Sequence, residues 1–525
     1  MTSPRPAHPL PFVSPRARIR AFAAGLAAVG LLLTGCTAPS TPSGTSGPST
    51  DAAAATSTPA PAGLESLYAQ DVTWNNCNDG FECASVQAPL DYEQPGGEKI
   101  QLALIRAKGS DAAAASLLVN PGGPGGSGVE YVRNGGNVLG ADVNAAYSVV
   151  GFDPRGVGQS TAVKCLDGQE TDQRRAAASI PSDTAGVEAL LKDSAAYAAA
   201  CEANSPAGLL AHLDTKTAAR DLDLIRAVLG DAKLNYLGYS YGTKLGATYA
   251  ELFPATVGRL VLDGAMDPSL DSDAVGTAQA KAFERALDLF LKDCLAGDDC
   301  PFSGTEAEAR AALTTWVHGL ETSPLELDDG RVLTAFDAVQ AILLALYEPL
   351  NAPRVVQALS FAVEHRDGTD LMSLADLSND RSADGSYSNT NDAFTAINCQ
   401  DYSRGTADPA AILARGAAFE KAAPFFGRYM GYDDACSQWP TEAAEPPSAL
   451  KAASDLSPIL IVGTTGDPAT PYAWAEALSR QLPHSVVLTW EGEGHTAYGR
   501  SNQCVVSAVE GYLLSGELPA AGTRC

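Results

Sequence analysis

The chain has 525 residues, of which 45% are hydrophobic and 18% are charged, and its formal net charge is −27 at pH 7. Such an acidic chain excludes nucleic acid and anionic lipid headgroups as favoured partners, because both carry negative charge. The apolar fraction is ordinary for a globular protein, and the length suffices for two domains or for one large domain with an insertion.

Residues 1–35 predict a lipoprotein signal peptide. Four arginines precede the apolar run AFAAGLAAVGLLL, which is too short for a membrane span. The following LTGC resembles a bacterial lipobox, in which Cys36 is lipidated and becomes the mature N-terminus; an ordinary signal peptide is the alternative. Residues 36–65, rich in Ser, Thr, Pro and Ala, predict a disordered tether. We therefore expect an exported lipoprotein facing outward from the cell membrane, or a protein secreted after release.

The other cysteines agree with export. Ten remain once Cys36 is set aside, an even number in a chain addressed to an oxidising compartment. No C-x-x-C pair and no His/Cys cluster occurs, so we expect no metal site. Many connectivities stay open, and proximity in sequence suggests the pairs Cys77–Cys83, Cys165–Cys201, Cys294–Cys300, Cys399–Cys436 and Cys504–Cys525.

Short apolar runs alternate with helical patterns along much of the chain. Several runs are nearly continuous in Val, Leu and Ile, as is typical of strands buried on both faces. Strands that alternate with helices predict a mostly parallel sheet with helices on both faces. The runs that predict strands are 99–107, 116–120, 147–153, 234–240, 258–264, 457–463 and 485–490.

One long region interrupts this alternation. Residues 266–455 carry helical patterns and no convincing strand, and strand-like sequence resumes afterwards. A helical cap inserted into the sheet domain fits better than a separate helical domain, because the sheet pattern continues after it. The core is therefore expected from residues 66–265 and 456–525.

The stretch LNYLGYSYGTKLGATYA places Ser240 in a G-x-S-x-G motif. The motif alone is weak evidence, but here it lies between a predicted strand and a predicted helix, which is the arrangement of a nucleophile elbow. Such a turn holds the serine hydroxyl clear at the carboxyl edge of the sheet, next to a helix N-terminus that favours developing negative charge. Ser240 is therefore the candidate nucleophile.

A serine nucleophile needs a base, and the base needs an acid that orients it. In this fold class the order along the chain is Ser, then Asp or Glu, then His, each after a strand. His495 follows a late strand in a Gly-rich loop, whereas His484 precedes that strand. Asp467 ends the preceding strand, so we expect it rather than Asp263 to be the acid.

The oxyanion of the tetrahedral intermediate needs backbone donors. The amide of Tyr241, directly after the nucleophile, is one candidate. The loop NPGGPGGSG at 120–128 is expected to supply the other, since its glycines let the backbone approach a substrate carbonyl. A phosphate-binding loop is disfavoured because the G-K-[ST] ending is absent.

Several segments together resemble the secreted tripeptidyl aminopeptidases of actinobacteria, which are α/β-hydrolases related to proline iminopeptidases. The resemblance extends from about residue 70 to the end, including a TAP-like C-terminal region, and implies an α/β-hydrolase fold with an eight-stranded sheet and a large helical cap. Proline iminopeptidases have His-Gly-Gly-Pro-Gly at the oxyanion loop. Pro121 replaces that histidine here, which favours the tripeptidyl group and gives Gly123 the donor position. The segments are NPGGPGGSG, VGFDPRGVGQS, GYSYGTKLG, AINCQDYS and TTGDPATPYAWAEAL with GEGHTAYG.

The activity implied by the resemblance is release of short peptides, tripeptides foremost, from the free N-termini of peptides or proteins. It needs no cofactor. An exopeptidase must also recognise the substrate ammonium. Asp401, in AINCQDYS, is the candidate carboxylate for this role, although a turn or capping role is an equal alternative. Asp263 and Asp267 are weaker candidates.

Two other functions remain open. A lipid-anchored carboxylesterase or lipase would use the same triad, with AILLALYEPL lining an acyl channel, although that stretch also fits a core-facing helix. A non-catalytic surface binding protein with an inactive hydrolase fold is disfavoured, because Ser, Asp and His occur in the order that catalysis requires.

Overall fold

The computed structural model describes residues 59–77, 80–107, 114–135, 139–432, 435–443 and 445–525. The predicted signal peptide, Cys36 and most of the predicted tether lie outside these residues. Among the helices described, none combines the length and the apolar character that a bilayer crossing requires.

A mixed sheet runs through the described part of the chain, with its strands in the order β1-β2-β3-β5-β4-β6-β7-β10-β11. The pairs from β5 to β11 are parallel, whereas β1 to β3 and the β3–β5 pair are antiparallel. The strands are β1 Asn75–Asn76, β2 Phe81–Pro89, β3 Lys99–Ala107, β4 Ser116–Asn120, β5 Ser148–Phe152, β6 Leu234–Tyr239, β7 Val257–Asp263, β10 Ile459–Gly466 and β11 Ser485–Glu493.

The α/β-hydrolase expectation is confirmed, but the predicted count of eight strands is wrong. The sheet has nine strands in the described residues. All seven apolar runs form strands, whereas β1 and β2 were not predicted from composition. Strand β2 reads FECASVQAP, in which small and polar residues alternate with few large apolar ones, so its signal is weak.

Helices cover both faces of the sheet. Helices α1, α5, α6, α7 and α16 contribute to an apolar cluster on one face. Helices α2, α3 and α17 contribute to the cluster on the other face. The bounds are α1 Glu65–Tyr68, α2 Gly128–Gly135, α3 Ala141–Ala146, α4 Gly168–Ala177, α5 Thr184–Asn204, α6 Thr215–Val228, α7 Tyr241–Leu252, α16 Tyr472–Gln481 and α17 Gln503–Ser515.

Between β7 and β10 the chain forms eight α-helices and one small hairpin within the described residues. The hairpin pairs β8, Leu325–Glu326, with β9, Val332–Leu333, and it corrects the expectation that this region holds no strand. Two-residue strands leave no periodicity that a sequence pattern reveals. The helices are α8 Ser272–Ala296, α9 Glu306–Leu320, α10 Ala335–Tyr347, α11 Ala352–His365, α12 Thr369–Ser378, α13 Thr390–Asp401, α14 Pro409–Ala422 and α15 Phe426–Met430.

These helices do not all pack into the same apolar cluster. An apolar cluster of their own joins α8 to α12 with α15, and we call this group the cap. Helix α13 packs instead into the core cluster through Ala393, Ala396, Ile397 and Cys399. The packing boundary therefore differs from the predicted cap of residues 266–455, because helical periodicity shows which face is apolar but not which neighbour covers it.

Disulfide bonds fasten both the core and the inserted region. In the described residues they join the five pairs that proximity in sequence had suggested. The helix α13 is tied to the segment after α15 by one of them. The bonds are Cys77–Cys83, Cys165–Cys201, Cys294–Cys300, Cys399–Cys436 and Cys504–Cys525.

Candidate active site

Ser240 stands at a sharp turn between β6 and α7. Its φ of 54° and ψ of −122° are unfavourable for a residue that carries a Cβ. Small residues on either side permit the turn, since a Cβ on Gly238 would lie 2.5 Å from the carbonyl oxygen of Gly242. The Ser240 amide donates to the Asp263 carbonyl oxygen at 2.9 Å. The Thr243 hydroxyl donates to the Ser240 carbonyl oxygen at 2.6 Å, so the strained turn is held from both sides.

The glycine-rich loop after β4 lies directly against this turn. A Cβ on Gly122, whose φ is 95°, would come within 2.4 Å of the Tyr239 carbonyl oxygen and 3.1 Å of the Tyr241 nitrogen. The Gly122 amide donates to the Asn120 side chain at 3.0 Å, and the next amide is that of Gly123. Tyr241 is the first residue of α7, so its amide has no acceptor within the helix. The two predicted oxyanion donors thus belong to segments that meet beside Ser240.

The segment VGFDPRGVGQS supports this loop, a role that the sequence alone did not reveal. Asp153 accepts hydrogen bonds from the Ser127 hydroxyl at 2.6 Å and the Val129 amide at 3.1 Å, which holds the end of the loop. Arg155 is fully buried and binds Asp221 through two hydrogen bonds of 2.7 Å. Its guanidinium also donates to the carbonyl oxygens of Pro89, Leu90 and His212.

Asp467 follows β10, His495 follows β11, and their side chains are in contact. His495 Nδ1 lies 2.9 Å from Asp467 Oδ1 and 3.0 Å from Oδ2. Both residues are buried. The carboxylate selects the tautomer with the proton on Nδ1, so Nε2 of the neutral ring is left with its lone pair. This is the geometry in which an imidazole accepts a proton from a hydroxyl.

Backbone amides and a hydroxyl hold the Asp467 carboxylate in place. It accepts from the amides of Ala469 at 2.9 Å, Thr470 at 2.8 Å and Thr496 at 3.1 Å. The Thr470 hydroxyl donates to Asp467 Oδ2 at 2.9 Å and lies 3.3 Å from His495 Nδ1. Thr470 was not predicted as a site residue, although its position three residues after the acid is a spacing at which such a hydroxyl turns back to the carboxylate.

Asp401 is placed differently from its prediction as an ammonium receptor. Its oxygens accept from Lys244 Nζ at 2.9 Å and from the Thr215 amide at 2.7 Å, and it also binds the Thr215 hydroxyl. That hydroxyl contacts the Tyr241 hydroxyl at 2.7 Å. Lys244 balances the buried Asp401 charge, so this carboxylate joins α13 to α7.

Asp263 is not available to a substrate ammonium. It is fully buried at the end of β7, and its carboxylate accepts from the amide of Ala497 at 3.0 Å and from that of Tyr498 at 2.7 Å. The contact of His495 with Asp467 leaves Asp263 beside the Asp–His pair rather than in it.

Two inserted helices flank the site. The Tyr347 carbonyl oxygen, at the end of α10, accepts the His495 amide at 2.8 Å, and the Tyr347 ring meets the imidazole edge-on with centroids 5.4 Å apart. On the other side, a Cβ on Gly125 would lie 2.9 Å from the Phe394 nitrogen in α13. Tyr347 and Phe394 are among the exposed large apolar side chains. They present apolar surface next to the histidine and the oxyanion loop.

The arrangement supports acyl transfer by a serine nucleophile. Within the described ranges, no group of three or more His, Cys, Asp and Glu side chains is placed to hold a metal ion. A serine elbow, a carboxylate-bound histidine and a glycine-rich loop beside a helix N-terminus are the arrangement that acyl transfer uses for a nucleophile, a base and oxyanion donors.

Family comparisons agree with this geometry. The family described as "alpha/beta hydrolase fold" matches residues 115–310. The family described as "TAP-like protein" matches residues 423–525, which include Asp467 and His495. The two matched regions therefore contain the predicted nucleophile and its two predicted partners.

Three curated relatives span most of the chain. The chain is 35% identical to the serine protease Hip1 of Mycobacterium tuberculosis over 484 residues, which are 88% of this chain and 92% of that protein. It is 36% identical to carboxylesterase B of the same species over 474 residues, 87% and 91% of the two chains. It is 32% identical to the tripeptidyl aminopeptidase of Streptomyces lividans over 481 residues, 86% of each. The chain therefore belongs to the TAP-like family of α/β-hydrolases and is a serine hydrolase.

Proposed function

We propose that the chain is an extracytoplasmic serine exopeptidase that releases short peptides, tripeptides foremost, from free N-termini. The observation that carries the chemistry is the Asp467–His495 contact beside the strained elbow at Ser240. The peptide substrate is supported by similarity to a tripeptidyl aminopeptidase over most of both chains.

The proposed reaction passes through an acyl-enzyme. Ser240 Oγ attacks the scissile carbonyl carbon while His495 Nε2 takes the hydroxyl proton, and Asp467 stabilises the resulting imidazolium. The amides of Tyr241 and Gly123 bind the oxyanion. When the C–N bond breaks, His495 gives its proton to the leaving amine. Water then attacks the ester with His495 as base, which releases the peptide and restores Ser240.

The same acyl-transfer chemistry would cleave many esters and amides. A requirement for a free N-terminus is what distinguishes an exopeptidase. A tripeptide anilide with a free amine is expected to be cleaved at least about tenfold faster than its N-acetylated form, because acetylation removes the ammonium charge that an exopeptidase site must pair. Release of the anilide chromophore measures both rates, with Ser240→Ala as the blank. Equal rates for the two peptides would reject the exopeptidase proposal.

A carboxylesterase is the second candidate, favoured by the relative of that name and by the exposed apolar side chains of Tyr347 and Phe394 beside the site. Short acyl esters tested beside the peptide anilide separate the two candidates. Because a peptidase triad can also attack esters, ester cleavage by itself does not separate the candidates. Cleavage of the esters without cleavage of the peptide anilide would favour the carboxylesterase.

We also propose that the protein is a lipoprotein anchored through Cys36. Five disulfide bonds in the described residues support an oxidising destination. Expressed in a bacterium that processes lipoproteins, the wild type is expected to take up radiolabelled fatty acid and to partition into detergent. Cys36→Ser is expected to abolish both properties, since it removes the lipidated thiol. Persistent labelling of the variant would contradict the assignment.

A further inference from the structure

Asp263 touches both halves of the proposed catalytic machinery. Its carbonyl oxygen accepts the amide of Ser240 at 2.9 Å. Its carboxylate accepts the amides of Ala497 and Tyr498, two and three residues after His495. Asp263, at the end of β7, therefore joins the turn at Ser240 to the turn that follows His495, which we call the histidine turn.

The histidine turn is strained and needs such support. Thr496 has a φ of 66°, a left-handed conformation that is a clear outlier for a β-branched residue. In this turn three successive amides point to two carboxylates: the Thr496 amide to Asp467, and those of Ala497 and Tyr498 to Asp263. Consecutive amides in a turn of this kind form a concave anion site. The two carboxylates thus hold a conformation that a threonine does not adopt freely.

Stability alone does not explain a carboxylate at this place. Burial raises the pKa of the Asp263 carboxyl to about 6, above its ordinary value, and the nearby Asp467 adds to the effect. A folded-state pKa above the unfolded one favours the folded protein at low pH, and this contribution is lost as pH rises through about 6. At neutral pH the ionised Asp263 therefore lowers the stability of the folded protein. Functional sites often carry such a cost in stability.

We propose that Asp263 is a positioning residue that keeps His495 aligned with Ser240 by holding the Thr496 turn. The proposal rests on the proposed function, because it takes Ser240 and His495 as nucleophile and base. Asp263 contacts neither substrate nor reacting atoms in this role. It acts through the backbone on both sides of the reaction.

The test compares the buried carboxylate of Asp263 with the half-buried carboxylate of Asp231, since both accept backbone amides. Asp263→Asn keeps the side-chain size but turns one acceptor oxygen into a donor that faces an amide. Asp231→Asn is the matched control, because Asp231 accepts the Ser116 amide at 3.1 Å at the start of β4, the edge of the sheet opposite the elbow. For each variant we would measure the fluorophosphonate labelling rate of Ser240, KM and kcat, and the thermal midpoint at pH 8.

Asp263→Asn is expected to lower the labelling rate and kcat by about 10- to 100-fold with little change in KM, as misplacement of a catalytic group does. Its thermal midpoint is expected to change little, because the removal of a buried charge offsets the new contact between two donors. Asp231→Asn is expected to label at the wild-type rate. Adding Thr496→Gly to Asp263→Asn is expected to restore part of the rate, since glycine adopts the positive φ without support.

A wild-type labelling rate in Asp263→Asn would overturn the inference. So would an equal loss in Asp231→Asn, or a loss that follows the thermal midpoint and is not relieved by Thr496→Gly, since each indicates general destabilisation. A wild type that does not label at all would instead reject Ser240 as nucleophile and, with it, the proposed function.

Discussion

Replacement of Ser240 by alanine is expected to lower kcat by about 10⁶, to the background rate that binding and the oxyanion donors support, because no other group supplies the nucleophile. Alanine carries the same Cβ as serine, so it meets the same strain at φ 54° and the fold is expected to be unchanged. The variant therefore removes the hydroxyl alone. Anilide release and fluorophosphonate labelling both measure the loss.

Ser501→Ala is the matched control for this change. Ser501 lies six residues after His495, and its buried hydroxyl has no hydrogen-bond partner in the described structure. Its removal is expected to leave both the turnover and the labelling unchanged. Labelling that persists in Ser240→Ala would show that another residue is the nucleophile.

Replacement of Asp467 by asparagine is expected to lower kcat by about 10⁴ with the fold retained. The amide oxygen at the Oδ1 position still accepts from Ala469 and Thr470. His495 Nδ1 loses the negative charge that held its proton, and the NH2 group at the Oδ2 position, 3.0 Å away, can only donate to it. That contact favours the tautomer with the proton on Nε2, which then has no lone pair for the Ser240 proton.

Glu493→Gln is the control for Asp467→Asn. Glu493 is an exposed carboxylate two residues before His495, paired with the exposed Arg285, and it lies in the same strand-to-loop region. Its loss of charge is expected to leave kcat within about twofold, since exposed pairs contribute little. If Glu493→Gln lost as much activity as Asp467→Asn, the acid would be assigned to the wrong carboxylate.

Much of the sheet was predictable because its strands are buried on both faces. Strand β4, SLLVN, is buried at every position, and such runs stand out in a sequence. Strand β2 was not found because its small and polar residues leave only a faint alternation. The β8–β9 hairpin is too short to show any period.

The elbow and the Asp–His contact could be predicted from the order of the motifs along the chain. Each motif follows a parallel strand, and the carboxyl ends of these strands lie at the same edge of the sheet. The contact of Asp401 with Lys244 could not be predicted, because the two residues lie 157 positions apart and no local sequence pattern indicates the pair. The contact of Thr470 with His495, and that of Asp263 with the amides after His495, share this limit. Their roles consist of contacts with backbone amides and a histidine that only the folded chain brings together.

Helix α13 limits which segments of this enzyme can be exchanged with those of a relative. Its first turn backs the oxyanion loop at Gly125, and its last residue, Asp401, pairs with Lys244 on the nucleophile helix. A hybrid that took residues 266–455 from a relative would exchange these supports along with the cap, and we expect it to lose turnover. A graft limited to the cap, helices α8 to α12 together with α15, would leave them native. We therefore expect an exchange between relatives to keep turnover only where it follows the packing boundary between α13 and the cap.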